Sequence, residues 1–424
     1  MSPLLGGYLA DHIIGQTKAL LIGGLVLIIG YGTLAIGTQL SMIAGLSAVI
    51  LGNGLYKPNV STLVGNLYPK SDNSRESGYT LFFVGFNIGG TLADFSIGFI
   101  KEIFGWEFSF ALAAIGIVIA VVIFLYGRRY VIDSFDARQI SRGERPKNIP
   151  WFYILLSFLA VIGMSMIFLY FSSLSNLLFI FIGLCLIIYL IWLIKRFDRS
   201  QAQKFCLLLL LMVISVLFWG LYFEEFLSVN LFIDRVVNRE VLGHTLPATF
   251  FLGFEPFFVV TVGLYFAHLL KTSPFLNISI LSKFICALGC MVIAYSILTL
   301  GTLMPESSGK VSFINTVIYF LFTTLGQLFL YPIGMAAVLK LSPKHMQGFM
   351  MGVWFFTLGL GGSVGGLLGN LAKIDASELL SVTTERLTYQ HAFVSYALIA
   401  LLGVVILLIV RPILRKFIGS TIDT

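Results

Sequence analysis

The sequence predicts an all-α polytopic membrane protein with about twelve complete spans. Three observations carry this. The 424-residue chain is 58% hydrophobic and 11% charged, with a mean hydropathy of +0.96, whereas soluble domains carry about 25% charged residues. Apolar runs of about 20 residues recur along it, each long enough to cross a hydrocarbon core. Lys and Arg gather in alternate loops: twenty fall in one set, six in the other, and Lys57 alone lies well inside a span. That split places the richer loops, and both ends of this chain, on the cytoplasmic side. Helices are required because lipid offers the backbone no hydrogen bonds.

The elements follow in order. Residues 1–10 read as the tail of a helix, and no basic n-region follows Met1, which argues against a signal peptide. Spans then run approximately 18–38, 41–67, 78–101 and 106–127. The second is interrupted by "GNGLYKPNVS" (52–61), where Lys57 precedes Pro58. Proline frees a carbonyl, so a charge and a broken turn in adjacent positions predict a polar cavity. "GFNIGG" (85–90) sets Gly85 and Gly89 four apart, a spacing for close helix packing. "KEIFGWEF" makes the turn before the fourth span, with Glu102 and Glu107 interfacial. The basic loop 128–150 ends on Pro150, a helix-start signal. Two wholly apolar spans, 151–173 and 176–194, read as lipid-facing scaffold. The remaining spans are 205–229, 248–270, 280–303, 312–339, 346–372 and 391–410. In "GLGGSVGGLLGN" (359–370), Gly361, Gly365 and Gly369 share a face suited to packing.

Ionisable residues inside spans are costly and usually functional. Here they are Lys57, Asp94, Glu224, Glu225 and Glu255. Glu255 precedes Pro256 in "GFEPFF", the same company that Lys57 keeps. Glu224 and Glu225 diverge by about 100° on a helix, so at most one faces a pore squarely. The plain alternative for each acid is a buried ion pair that fixes packing. Cys286 and Cys290 share a helix face without His or carboxylate neighbours, which makes no metal site. No phosphate loop, H-E-x-x-H or G-x-S-x-G is present, so no catalytic site is expected. The net charge of +7 reads as loop topology rather than nucleic-acid binding.

Several stretches together resemble the proton-dependent oligopeptide transporter family of the major facilitator superfamily. "LLGGYLADHIIGQTKALLIGG" (4–24) resembles its Gly-Gly-x-x-Ala-Asp-x-x-x-Gly loop after the second helix. "GNGLYKPNVSTLVGNLY" (52–68) resembles its fourth helix, and "GYTLFFVGFNIGGTL" (78–92) its fifth-helix signature. "LGQLFLYPIGMAAVLKLSPKHMQGFMMGVWF" (325–355) resembles its tenth and eleventh helices. The pair 151–194 is similar to the two linker helices of bacterial members.

The resemblance implies a major facilitator fold, with an incomplete N-terminal bundle at 1–129. A cytoplasmic linker with two extra helices follows at 130–204, and a C-terminal bundle at 205–424. The first helix and most of the second are expected to be missing from this chain. The implied function is proton-coupled import of di- and tripeptides across a bacterial cytoplasmic (inner) membrane by alternating access, not enzymatic catalysis. It needs no cofactor beyond the proton gradient. The partners are a small peptide, protons and lipid, with no nucleic acid, and nothing in the sequence sets an oligomeric state.

Implied substrate-binding residues are Lys57, Asn87, Glu255, Gln327 and Trp354. Lys57, Glu255 and Glu224 are implied in proton coupling, and Gly7, Asp11 and Gly15 form the gating loop. The departures from the family are specific. The first-helix Glu-x-x-Glu-Arg motif is absent; Phe223 and Glu224 replace a seventh-helix Glu-Gln; Phe83 replaces a tyrosine. Gln327 replaces a tenth-helix acid, and Glu255 stands where an asparagine is usual. Glu255 is therefore expected to be the counter-charge, either for Lys57 or for the substrate's ammonium. The rival expectations are the same fold carrying amino acids or another small solute, or a truncated homologue that does not transport.

Overall fold

The computed structural model describes residues 2–68, 72–130, 151–170, 172–241, 243–246, 248–273, 278–373 and 381–418. Most of the basic loop 128–150 and the side chains of Asp94 and Glu102 lie outside the described residues. The helices are α1 (Ser2–Leu9), α2 (Gln16–Leu34), α3 (Gln39–Asn66), α4 (Asp72–Gly127), α5 (Trp151–Tyr170) and α6 (Ser172–Ile194). They continue with α7 (Arg199–Phe223), α8 (Asn230–Arg235), α9 (Ala248–Leu252), α10 (Phe254–Thr272), α11 (Ile280–Leu303), α12 (Phe313–Leu341), α13 (Gln347–Leu368) and α14 (Val382–Ile418). Among the described residues nine stretches are long and apolar enough to cross a membrane, and two shorter apolar helices cover Leu155–Ile167 and Phe181–Ile194. The turn expected at "KEIFGWEF" is a break in α4 at Gly105, whose φ of 83° favours glycine. Two short strand pairs complete the fold: Val237–Asn238 runs parallel to Val311–Ser312, and Glu240–Val241 antiparallel to His244–Thr245.

The chain divides into two compact units. The first holds Met1–Pro69, Ser96–Cys206 and Val338–Phe356; the second holds Lys70–Phe95, Leu207–Ala337 and Thr357–Thr424. In the first, Leu9, Ala10, Ile14, Ala19, Leu51 and Leu55 form a buried cluster capped by Phe158, Val161 and Ile162. Glycine lets its helix backbones nearly touch. A Cβ added to Gly6 would lie 2.0 Å from the Gly54 carbonyl oxygen, and one on Gly7 would lie 2.1 Å from that of Gly348.

In the second unit Trp219, Tyr295, Tyr319, Phe320 and Phe393 are buried. The glycine face at 361, 365 and 369 packs as expected: a Cβ on Gly361 would meet Trp219 Cβ at 2.3 Å, and one on Gly365 the Gly220 carbonyl at 3.0 Å. Gly85 and Gly89 differ. A Cβ on either meets nothing within 4 Å, so their spacing serves no close packing among the described residues.

Candidate functional site

Lys57 lies in α3 and is exposed, while its neighbours Leu55, Pro58 and Asn59 are buried. No ion pair to Lys57 occurs among the described residues. Pro58 withdraws the donor from the Gly54 carbonyl four residues back. That oxygen faces Gly6 of α1. The freed oxygen is thus set against the backbone of α1. Side chains brace the same turn: Asn59 Nδ2 donates to the Leu55 carbonyl (2.7 Å), Ser61 Oγ to that of Lys57 (2.9 Å) and Thr62 Oγ1 to that of Pro58 (2.9 Å).

Glu255 and Gln327 meet. Gln327 Nε2 donates to Glu255 Oε1 at 2.7 Å, and both side chains are buried in the second unit. The sequence likened "GFEPFF" to "YKPN", but the backbone separates them. Residues 248–270 break between α9 and α10, and Glu255 and Pro256 fall in the first turn of α10. A proline there costs little, because the first N–H groups of a helix have no partner anyway. An acid there is favoured by the helix dipole. Glu255 is therefore placed where a negative charge is stabilised by its own helix and oriented by a neutral amide.

Asn87 is buried, and its Nδ2 donates to the Phe83 carbonyl of its own helix at 2.9 Å. Phe83, the tyrosine replacement, packs its ring 4.9 Å from that of Tyr331, which also meets Trp219 at 5.8 Å. Trp354 is fully buried in the first unit. Of the three residues expected in the gating loop, Gly7 and Asp11 meet at one helix start. Asp11 Oδ2 accepts from the Phe349 N–H at 2.8 Å, at the N-terminus of α13, and Gly7 touches Gly348. Gly15 supplies the positive φ of 83° that ends the π-turn Ala10–Ile14 and lets α2 begin.

Glu224 is fully buried where α7 gives way to the π-turn Glu225–Val229. Its Oε2 accepts from Ser228 Oγ at 2.5 Å and from Tyr396 hydroxyl at 3.0 Å; its Oε1 has no hydrogen-bond partner among the described residues. Glu225 is buried too. Sequence reasoning missed both donors. Ser228 is i+4 from Glu224 and was open to detection by spacing; Tyr396 is 172 residues away and was not.

Sequence reasoning also missed an ion pair. Glu76 and Lys283 pair within the second unit, both nearly fully buried. Counted with a loop in the sequence, Lys283 lies inside α11. Ser77 supports the place by donating to the Ala267 carbonyl at 2.9 Å.

The family model described as the POT family matches residues 17–383. This chain belongs to the POT family. Among POT relatives, the peptide transporter YePEPT of Yersinia enterocolitica is 29% identical over 99% of this chain and 84% of its own length. Dipeptide and tripeptide permease B of Salmonella typhimurium is 27% identical over 98% and 85%. A solved bacterial homologue of the human drug peptide transporters PepT1 and PepT2 aligns with a TM-score of 0.72 at 22% identity, covering 98% of this chain and 88% of that one. A peptide transporter POT solved in complex with alafosfalin aligns at TM-score 0.71 and 24% identity, covering 99% and 84%. The POT chain therefore has the major facilitator fold of these transporters, and its family is one of multi-pass membrane carriers, not enzymes.

Proposed function

We propose that this POT protein imports di- and tripeptides together with protons across a bacterial cytoplasmic membrane, with both ends of the chain cytoplasmic. Membership of the family and relatives that are peptide transporters and permeases support the substrate class. Within the proposed organisation, 1–129 and 205–424 are the two transport bundles and 130–204 the linker with two scaffold helices.

The observation that carries the reading of the site is the Glu255–Gln327 hydrogen bond. An acid and an amide are retained together, so a charge is kept and oriented although the acid of "LGQL" is lost. In this reading Lys57 engages the substrate carboxylate, and Asn87 and Trp354 contribute to peptide binding. Glu255 answers a positive charge, that of the substrate's ammonium end or of Lys57, and Gln327 holds its carboxylate. Protons are taken up at carboxyl groups, Glu255 and Glu224. Gly7, Asp11 and Gly15 govern the gating loop.

Uptake of labelled dipeptide into liposomes under an acid-outside gradient tests this. Glu255→Gln removes the charge and keeps the hydrogen-bonding shape, and is expected to lower gradient-driven uptake at least tenfold, about 1.4 kcal/mol. Unchanged uptake would overturn the role given to Glu255.

A further inference from the structure

The cage around Glu224 holds a hydroxyl with two places to give one hydrogen. Tyr396 hydroxyl is 3.0 Å from Glu224 Oε2 and 3.0 Å from the Leu368 carbonyl oxygen. A phenol carries a single donor hydrogen, so it serves one of these acceptors at a time. Leu368 is the last residue of α13, where the helix tightens into the 3-10 turn Gly369–Ala372, and a carbonyl oxygen has two lone pairs, so it can also accept from outside the helix. Gly365 and Gly369 flank the carboxyl at ordinary contact distance: an added Cβ would stand 3.7–3.8 Å from its oxygens.

Among the described residues the titratable groups on the surrounding elements are few. Glu225 follows on the same turn, Tyr396 comes from α14, and Tyr295 and Tyr319 come from α11 and α12. Tyr295 packs its ring 5.2 Å from that of Tyr396 and donates to the Leu221 carbonyl at 2.5 Å. Gly365 of α13 and Gly369 just beyond it lie against the carboxyl. No Lys, Arg or His is bonded to Glu224 among the described residues.

We propose that Glu224 and Tyr396 form a proton-binding switch inside the second unit. With Glu224 ionised, Ser228 and Tyr396 both donate to Oε2. When a proton binds, the new Glu224 O–H donates to the Tyr396 oxygen, and the Tyr396 hydroxyl turns to donate its own hydrogen to the Leu368 carbonyl. One proton thereby reverses the hydrogen bond between Glu224 and Tyr396 and adds one between α14 and the end of α13. No covalent bond other than the carboxyl O–H forms. A π-turn beginning at the next residue fits this role, because such turns gather at functional sites.

The switch deepens the proton-coupling role given to Glu224 and rests on that reading. Infrared difference spectroscopy of the full chain in liposomes, titrated with acid, reads the protonated-carboxyl band directly. A component of that band is expected to titrate, to vanish in Glu224→Gln and to persist in Glu255→Gln. Tyr396→Phe keeps the ring but removes a donor to the carboxylate. It is expected to raise the midpoint of that component by about one pH unit, a tenfold change in proton affinity. A titrating band untouched by Glu224→Gln, or a midpoint unmoved by Tyr396→Phe, would overturn the switch. Should Glu224→Gln not fold, the Tyr396→Phe midpoint decides alone. Dipeptide uptake run in parallel separates the two levels: a normal band with pH-insensitive uptake removes the coupling role and leaves the proton site standing.

Discussion

A lysine near the N-terminus of a helix faces the wrong end of the helix dipole, and Lys283 is in that position in α11. Glu76 answers it. Removing one partner of a buried pair leaves the other charge uncompensated, at about 3–5 kcal/mol. Lys283→Met should therefore lower the melting temperature of the detergent-purified protein steeply. Adding Glu76→Gln should restore most of it, and equal melting of the single and double variants would show the pairing to be inconsequential. The same residues mark what the sequence could disclose. Lys57, Glu224 and Glu255 stood out because a charge inside an apolar run is visible as such. Pairings did not, because Gln327 is 72 residues from Glu255, Tyr396 is 172 from Glu224 and Lys283 is 207 from Glu76. Lys283 also lies three residues inside its helix, where a loop and a span look alike in sequence.

Helix order and approximate limits were legible, since length and apolarity suffice to define a span in lipid. How the helices touch was only half legible. Glycines four apart look alike in "GFNIGG" and "GLGGSVGGLLGN", yet only the second set packs closely among the described residues. This separates two substitutions. Gly361→Ala would drive a methyl into Trp219 and should destabilise the helix pair by about 1–3 kcal/mol, as overpacking does. Gly85→Ala and Gly89→Ala meet open space and should be neutral, or stabilising by about 0.5–1 kcal/mol through helix propensity. Thermal unfolding of the three variants tests this; equal losses would contradict it. Asp11→Ala should cost about 0.5–2 kcal/mol as a lost helix cap. Asp11→Asn should cost less, because an amide oxygen still accepts from the Phe349 N–H.

For the molecule as a whole, carrying a neutral zwitterionic dipeptide with one proton moves one net charge across the membrane. An inside-negative potential of 100 mV then adds about 2.3 kcal/mol of driving force, close to fiftyfold in accumulation. Uptake by liposomes should rise with such a potential at constant pH, and indifference to it would exclude net charge movement. The fold also has a mechanical consequence at α1. That short helix lies backbone to backbone on Gly54 and on Gly348, with Pro3 against Gly352. Contacts without rotatable side chains freeze no rotamers when made and release none when broken. Parting such a seam would therefore leave no side-chain jigsaw to re-solve when it closes again.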